Sequence, residues 1–532
     1  MNEHETAREL QAWFAAQPPL AAPPELRRSV AAIPATTPLP LGARLVATLT
    51  WRPVFVPRAA WALIVVALAI ALVGTTAYVG SRLLDARPVL PPAVVSTPAP
   101  TPTATPAGMP IGAYGACASA ATTPITLTTL DQEAGDAISS AIDQLNREFQ
   151  VANPGVTIAR EQRSADDLRA SVQAALADPN GPDIVQVEQG REGMGAAVRA
   201  GLLLQLTDYA TQYGWDDRWA PGILARSSFS DDGRTFGSGT LYGVSVTGEI
   251  VGLFRNNHFA AQDPGRGSLS PQSLAEQMEL FSATKEAGDV PVVFGAADGD
   301  AIEIYASILE AMVDFEWLDD LVYGRNNVSF ATPETVAAAK LLVEMSDRGY
   351  FTEGYESIGH DDAVALFASN KGEYLWADSR VGPILDAVDG VTFYFRAVPP
   401  LQAGDLSRSA GGVGLPWAIR KTSPDADCAG AYLDFITSNH AMRLLANQGV
   451  LPSHYVGGAP EPMRALNYTD VLFAFSDAST SGRLGHRLDA AFPTARETFT
   501  ANLAKLMANK ISPEEFVQVI DGAYQAYLTT LR

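Results

Sequence analysis

Six histidines, two cysteines and 59 acidic residues are the side chains in this sequence that could do chemistry. Two cysteines cannot build the usual four-ligand zinc site without histidines nearby, and the histidines here are scattered. There is no Gly-x-Ser-x-Gly elbow, no His-Glu-x-x-His helix and no Gly-x-x-x-x-Gly-Lys phosphate loop. His360-Asp-Asp362 looks like a ligand cluster, but it opens an Ala-Val-Ala-Leu-Phe-Ala-Ser run and reads as a helix N-cap. Carboxylate pairs could serve glycoside hydrolysis, yet that mechanism turns on a separation that sequence does not show. The residues therefore point to binding without catalysis, cofactor or metal. Cys117 and Cys428 could form one disulfide outside the cytoplasm, a question of distance that spacing leaves open.

The elements that would position such residues begin after a long leader. The run from Ala59 to Val79 carries no charge and just meets the ~20 residues a membrane-crossing helix needs. Arg52 and Arg58 precede it, Arg82 and Arg87 follow it, and Trp61 and Tyr78 stand near its ends, where amphipathic rings prefer the interface. A leader of more than fifty residues before it is unusual for a cleaved signal peptide, so a retained anchor over 59–80 is expected, with the N-terminus inside. Residues 81–123 hold a Pro/Thr-rich stretch, which predicts an extended spacer. Cys117 follows that spacer and no apolar run, so lipid attachment there is not expected. Residues 1–58, with many prolines and one short helix near Thr6, read as a largely irregular cytoplasmic segment. It loosely resembles the juxtamembrane part of anti-sigma-factor-like membrane proteins, although it has no cysteine for their zinc motif.

Charge divides the same way. The whole chain is −22; residues 1–58 carry six arginines against four glutamates, which leaves −24 for the rest. A surface so acidic is unsuited to a phosphate backbone, so nucleic acid is not an expected partner.

From 124 to 532 the pattern is α/β. Ile125–Leu130, Val156–Ile158 and Asp183–Val187 read as strands, and Asp136–Phe149 and Ala165–Leu176 as helices with one apolar face. Such alternation predicts a parallel sheet with helices on its faces.

Several segments then occur in a telling order: Phe149-Gln-Val-Ala-Asn-Pro-Gly-Val156, Gly181-Pro-Asp-Ile-Val-Gln-Val187, Gly201-Leu-Leu-Leu-Gln-Leu-Thr-Asp208 and Leu241-Tyr-Gly-Val-Ser-Val-Thr-Gly-Glu249. Asp361-Asp-Ala-Val-Ala-Leu-Phe-Ala-Ser-Asn-Lys-Gly372, Gly411-Gly-Val-Gly-Leu-Pro-Trp-Ala-Ile419 and Gly449-Val-Leu-Pro452 complete it. Each is weak alone. Together they resemble family 1 of the extracellular solute-binding proteins of ATP-driven (ABC) importers, many of which bind sugars. The resemblance implies a two-lobed, type II periplasmic-binding-protein-like fold. Lobe 1 would cover about 124–248 and 397–455, and lobe 2 about 249–396 and 456–532. It also implies capture of a small solute, by expectation a carbohydrate, through lobe closure, with delivery to separate ABC permease subunits.

A sugar binder wants carboxylates and amides for paired hydrogen bonds and rings for stacking. The positions matching the family's cleft loops are Asp131, Glu133, Glu188, Gln189, Glu249, Asp298, Asp300, Trp376, Asp378, Arg380, Gly412 and Trp417. The chain departs from the sugar-binding pattern where Asp300 and Asp378-Ser-Arg-Val381 stand in place of expected tryptophans. Arg380 could instead meet an anionic group. An alternative function is a transmembrane solute sensor that signals through residues 1–58; solute-dependent transcription unchanged by deleting 1–40 would dismiss it.

Overall fold

The computed structural model describes residues 112–262, 270–405, 408–454 and 466–531. The expected cytoplasmic segment, the anchor over 59–80 and the spacer up to 111 lie outside them. The described residues all fall within a single compact unit. Among the described residues no helix is long and apolar enough to cross a membrane.

The first lobe grows from strand–helix alternation. Strand β1 (Ile125–Asp131) buries Ile125, Leu127 and then Leu130. The helix Asp136–Ala152 lays Ile142, Leu145 and Phe149 against the sheet at helical spacing. It leads to β2 (Val156–Gln162), and the helix Ala165–Ala177 follows, its first turn capped by the Ser164 side chain accepting from the Asp167 N–H. Then come β3 (Ile184–Gln186), a short hairpin of β4 (Ser228–Phe229) and β5 (Thr240–Leu241), and β6 (Val244–Ser245).

At Gly248 the chain crosses into the second lobe as β7 (Gly248–Asn256). A Cβ at Gly248 would collide with the Phe475 ring, so the crossing needs glycine there. Strands β8 (Val292–Val293), β9 (Tyr374–Asp378), β10 (Phe393–Ala397) and β11 (Gly411–Val413) follow, and the chain returns as β12 (Pro416–Ile419). The first sheet has the order β2-β1-β3-β12-β6, in which β12 enters antiparallel between β3 and β6. The second runs β10-β7-β9-β8, with β11 also paired to β7. The return to lobe 1 was expected at 397. Because β11 hydrogen-bonds to β7, the described residues between 397 and 413 go with lobe 2, and the crossing falls between Val413 and Pro416.

Lobe 1 also begins earlier than expected. Residues Gly115–Ala121 form a 3-10 turn rather than spacer, and Cys117 is joined to Cys428 in the buried helix Ala426–Ile436. Asn153 secures the same stretch, accepting from Tyr114 N–H at 2.9 Å and donating to Gly112 O at 2.6 Å.

One apolar core runs through the crossing. It includes Leu127 and Phe149 in lobe 1, Val246, Ile250 and Trp417 at the junction, and Phe254, Phe393 and Phe475 in lobe 2. The other face of the second sheet packs under the helices Ala301–Glu310, Pro333–Asp347 and Pro513–Thr530. The last two open with proline after a capping box, at Thr332 and Ser512.

Candidate functional site

Where β7 and β9 leave the crossing, their ends bring carboxylates and guanidinium groups into one cavity of about 320 Å³. Val251 of β7 pairs with Asp378, the last residue of β9, so Glu249 and Asp378 fall at the same end of the sheet. Asp378 is buried and accepts from Arg380, through the backbone N–H at 2.7 Å and Nε at 3.0 Å. Burial would raise its pKa, but the Arg380 hydrogen bonds and charge outweigh that and hold it below the usual carboxylate range. Glu249 lies 3.8 Å from Arg380 Nε and accepts directly from Arg487 Nη1.

Arg487 is the hub. Its Nε and Nη2 also donate to the two oxygens of Asp489, at 3.1 and 3.0 Å, the forked geometry suited to a carboxylate. Arg496 donates to Asp489 at 3.2 Å and to Asp298 O at 3.3 Å. Asp298 in turn accepts from the backbone N–H of His360 at 2.8 Å, and His360 Nδ1 is 2.6 Å from Asp300 Oδ2. His360 is thus the first residue of the helix His360–Ala368 and a cavity wall, rather than the expected N-cap; Gly359 holds the cap position. Glu303 Oε2 has no partner, and burial, with Asp378 nearby, raises that carboxyl well above its ordinary range.

The ends of the lobe 1 strands, which do not line this cavity, are amide-rich. Glu133 accepts from Gln186 Nε2 at 2.8 Å, and Gln186 Oε1 accepts from Gln132 N–H at 3.0 Å. Burial raises the Glu133 carboxyl, and the Arg380 charge from the opposite lobe is among the groups that oppose it. Gln189 donates to the carbonyls of Val413 and Gly414 at 2.9 and 3.1 Å, tying its loop to the crossing. Glu188 pairs with Arg169 at 2.8 Å on the surface.

The structure brings Asp298, Asp300, Asp378 and Arg380 together around the cavity, with Glu249 bonded to its wall. Three expected site residues need correction. Asp131 is fully buried and spends both oxygens on Arg160 at 2.8 Å, so it holds the 131–133 turn and offers nothing to a ligand. Trp376 lies in the core of lobe 2, with Nε1 donating to Ser307 Oγ at 3.4 Å, and Trp417 is wholly enclosed at the junction. An enclosed ring has no face left for a ligand. Gly412 faces Arg226, whose Nη1 a Cβ would approach to 3.3 Å. Among the described residues no Phe, Tyr or Trp lines the cavity. Among the described residues no three His, Cys, Asp or Glu are grouped to hold a metal ion.

A family model for bacterial extracellular solute-binding proteins matches residues 129–443, more than half of the chain. The chain belongs to that family.

Solved structures agree on the fold of this solute-binding protein. The unliganded RafE of Streptococcus pneumoniae superposes with a TM-score of 0.62 at 16% identity, covering 77% of this chain and 98% of that one. A chitin oligosaccharide binding protein gives 0.61 at 18% identity, with 76% and 99% covered. The GacH receptor of Streptomyces glaucescens, solved unliganded and with acarbose, gives 0.57 at 18%, with 76% and 99% covered. No curated protein sequence matches the chain.

Sequence reading missed Arg487, Asp489, Arg496 and Glu303 of this solute-binding protein's cavity. Three of them follow the second return to lobe 2, where no strand pattern announces a cleft wall. The alternation Arg487-Leu488-Asp489, one apolar residue between opposite charges, was the available signal.

The His360–Asp300 contact sets a pH dependence. The hydrogen bond to Asp300 raises the His360 pKa above its ordinary 6.5, with burial opposing. The stabilisation is therefore complete below about pH 6.5 and is lost as pH rises through the higher folded-state value. Denaturation midpoints measured from pH 6 to 9 should fall more steeply in the native protein than in His360→Gln. Parallel curves would refute the pairing.

Proposed function

We propose that this protein captures a carbohydrate between its lobes, is held at the outer face of the membrane by the apolar run 59–79, and delivers its solute to an ABC permease. The observation that carries this reading is the cavity at the ends of β7 and β9, where carboxylate–guanidinium pairs present fixed donors and acceptors. Hydroxyl groups are the natural complement of such pairs. The fold is shared with proteins solved with raffinose and with acarbose. Closure follows if the solute meets Glu133 and Gln189 as well as Asp378 and Asp300, since contact with both lobes favours the closed state.

Charge narrows the solute. Arg380 is committed to Asp378, and Arg487 and Arg496 are committed to Glu249 and Asp489, while Asp298, Asp300 and Asp361 also line the cavity without an arginine ion pair of their own among the described residues. The surplus is acidic, which favours neutral or amino sugars over sugar acids and phosphates.

Thermal unfolding of the detergent-solubilised chain against neutral oligosaccharides, amino sugars, uronic acids and sugar phosphates tests this. A cognate sugar at a hundred times its dissociation constant should stabilise by about 2.7 kcal/mol. Stabilisation by anionic sugars alone would overturn the charge argument, and no response to any sugar would overturn the carbohydrate reading.

A further inference from the structure

A second cavity, of about 260 Å³, has walls from both lobes and shares His486 with the first. Arg226 and Gly237 come from lobe 1; Asp319, Arg325, Arg408 and His486 come from lobe 2. Three arginines reach it, and the carboxylates do not balance them. Asp319 accepts from Arg408 Nη2 at 3.1 Å and faces His486 Nε2 at 2.8 Å. Burial first, and then repulsion from the neighbouring Arg226 charge, push the His486 imidazole down to about 4, so it adds no charge near neutral pH. Arg325 sits 3.8 Å from Asp320, which Asn326 also engages.

Arg226 has no carboxylate partner among the described residues. Its Nη2 donates to the carbonyl oxygens of Leu484 and Gly485 in lobe 2, and its Nε has no partner. Arg408 Nε is likewise unpartnered. These two residues are only 5% and 7% exposed. The nearby Glu310 carboxyl, pushed up to about 8 by burial, is mostly neutral at pH 7 and does not offset Arg226. A buried guanidinium without a counter-charge is costly, and its planar fork is shaped for oxyanions.

We propose that the cavity between Arg226, Arg325 and Arg408 binds a small oxyanion, phosphate or carboxylate, which completes the charge balance and bridges the lobes. Because the walls belong to both lobes, the bound anion favours the arrangement in which they meet. It is linked to the solute cavity through the shared His486 wall.

The test is calorimetric titration of the full-length chain in detergent with inorganic phosphate, and separately with acetate, in chloride at matched ionic strength. Saturable binding of either is expected, and which one binds identifies the oxyanion. Arg408→Gln and Arg226→Met should each weaken it by about tenfold or more, the loss of a charge-assisted contact. Arg325 is one-third exposed, the most accessible of the three, so Arg325→Gln disturbs packing least and should weaken binding severalfold even if the buried variants fail to fold. Absence of saturable binding, or binding unchanged in Arg325→Gln and Arg408→Gln alike, would overturn the proposal.

Discussion

Reducing the Cys117–Cys428 disulfide is expected to lower the unfolding free energy of the folded region by about 5 kcal/mol. The bond closes a loop of 311 residues, and the entropy removed from an unfolded chain grows with the logarithm of loop length. Both cysteines are buried, so reduction also leaves two thiols in a packed site. Urea denaturation followed by tryptophan fluorescence, with and without reductant, measures the effect. Cys117→Ser with Cys428→Ser should reproduce the reduced protein. A midpoint that does not move would show that the 115–121 turn and Asn153 hold this region without the bond.

Replacing Arg487 by Met should cost roughly 3 kcal/mol of stability and abolish solute binding. The loss of two ion pairs is the smaller part of that figure. The larger part is that Glu249 and Asp489 remain in a protected site without their shared counter-charge. Arg487→Met combined with Glu249→Gln should therefore recover part of the stability while solute binding stays lost. Recovery of binding in the double variant would refute the hub role. Arg487→Lys should fall between, since an ammonium cannot reproduce the fork on Asp489. Chemical denaturation and the sugar titration supply the two readouts.

How far the sequence carries toward this architecture depends on the range of each interaction. The strands expected at 125–130 and 156–158 appear as Ile125–Asp131 and Val156–Gln162, and the helix expected from Asp136 runs on to Ala152. Their signals are local periodicities, readable wherever one face is buried. The lobe boundary was misplaced because β11 is only three residues long and is defined by its pairing with β7, some 160 positions earlier. The site shows the same division. Asp298, Asp300, Asp378 and Arg380 stand beside recognisable segments and do gather. Asp131 looked equally available until Arg160 from the neighbouring strand took both of its oxygens. Whether a carboxylate is free or spent is a property of its partner, and the partner lies elsewhere in the chain.

The covalent link near the start of the folded region also decides how the protein would bear a mechanical load. Tension applied through the chain before residue 112 would otherwise fall on β1, an inner strand of the first sheet, and pull it out along its own axis. With Cys117 joined to Cys428, the pull passes instead into the buried helix Ala426–Ile436. The stretch between the two cysteines, β1 included, is then bypassed by the covalent path of the load.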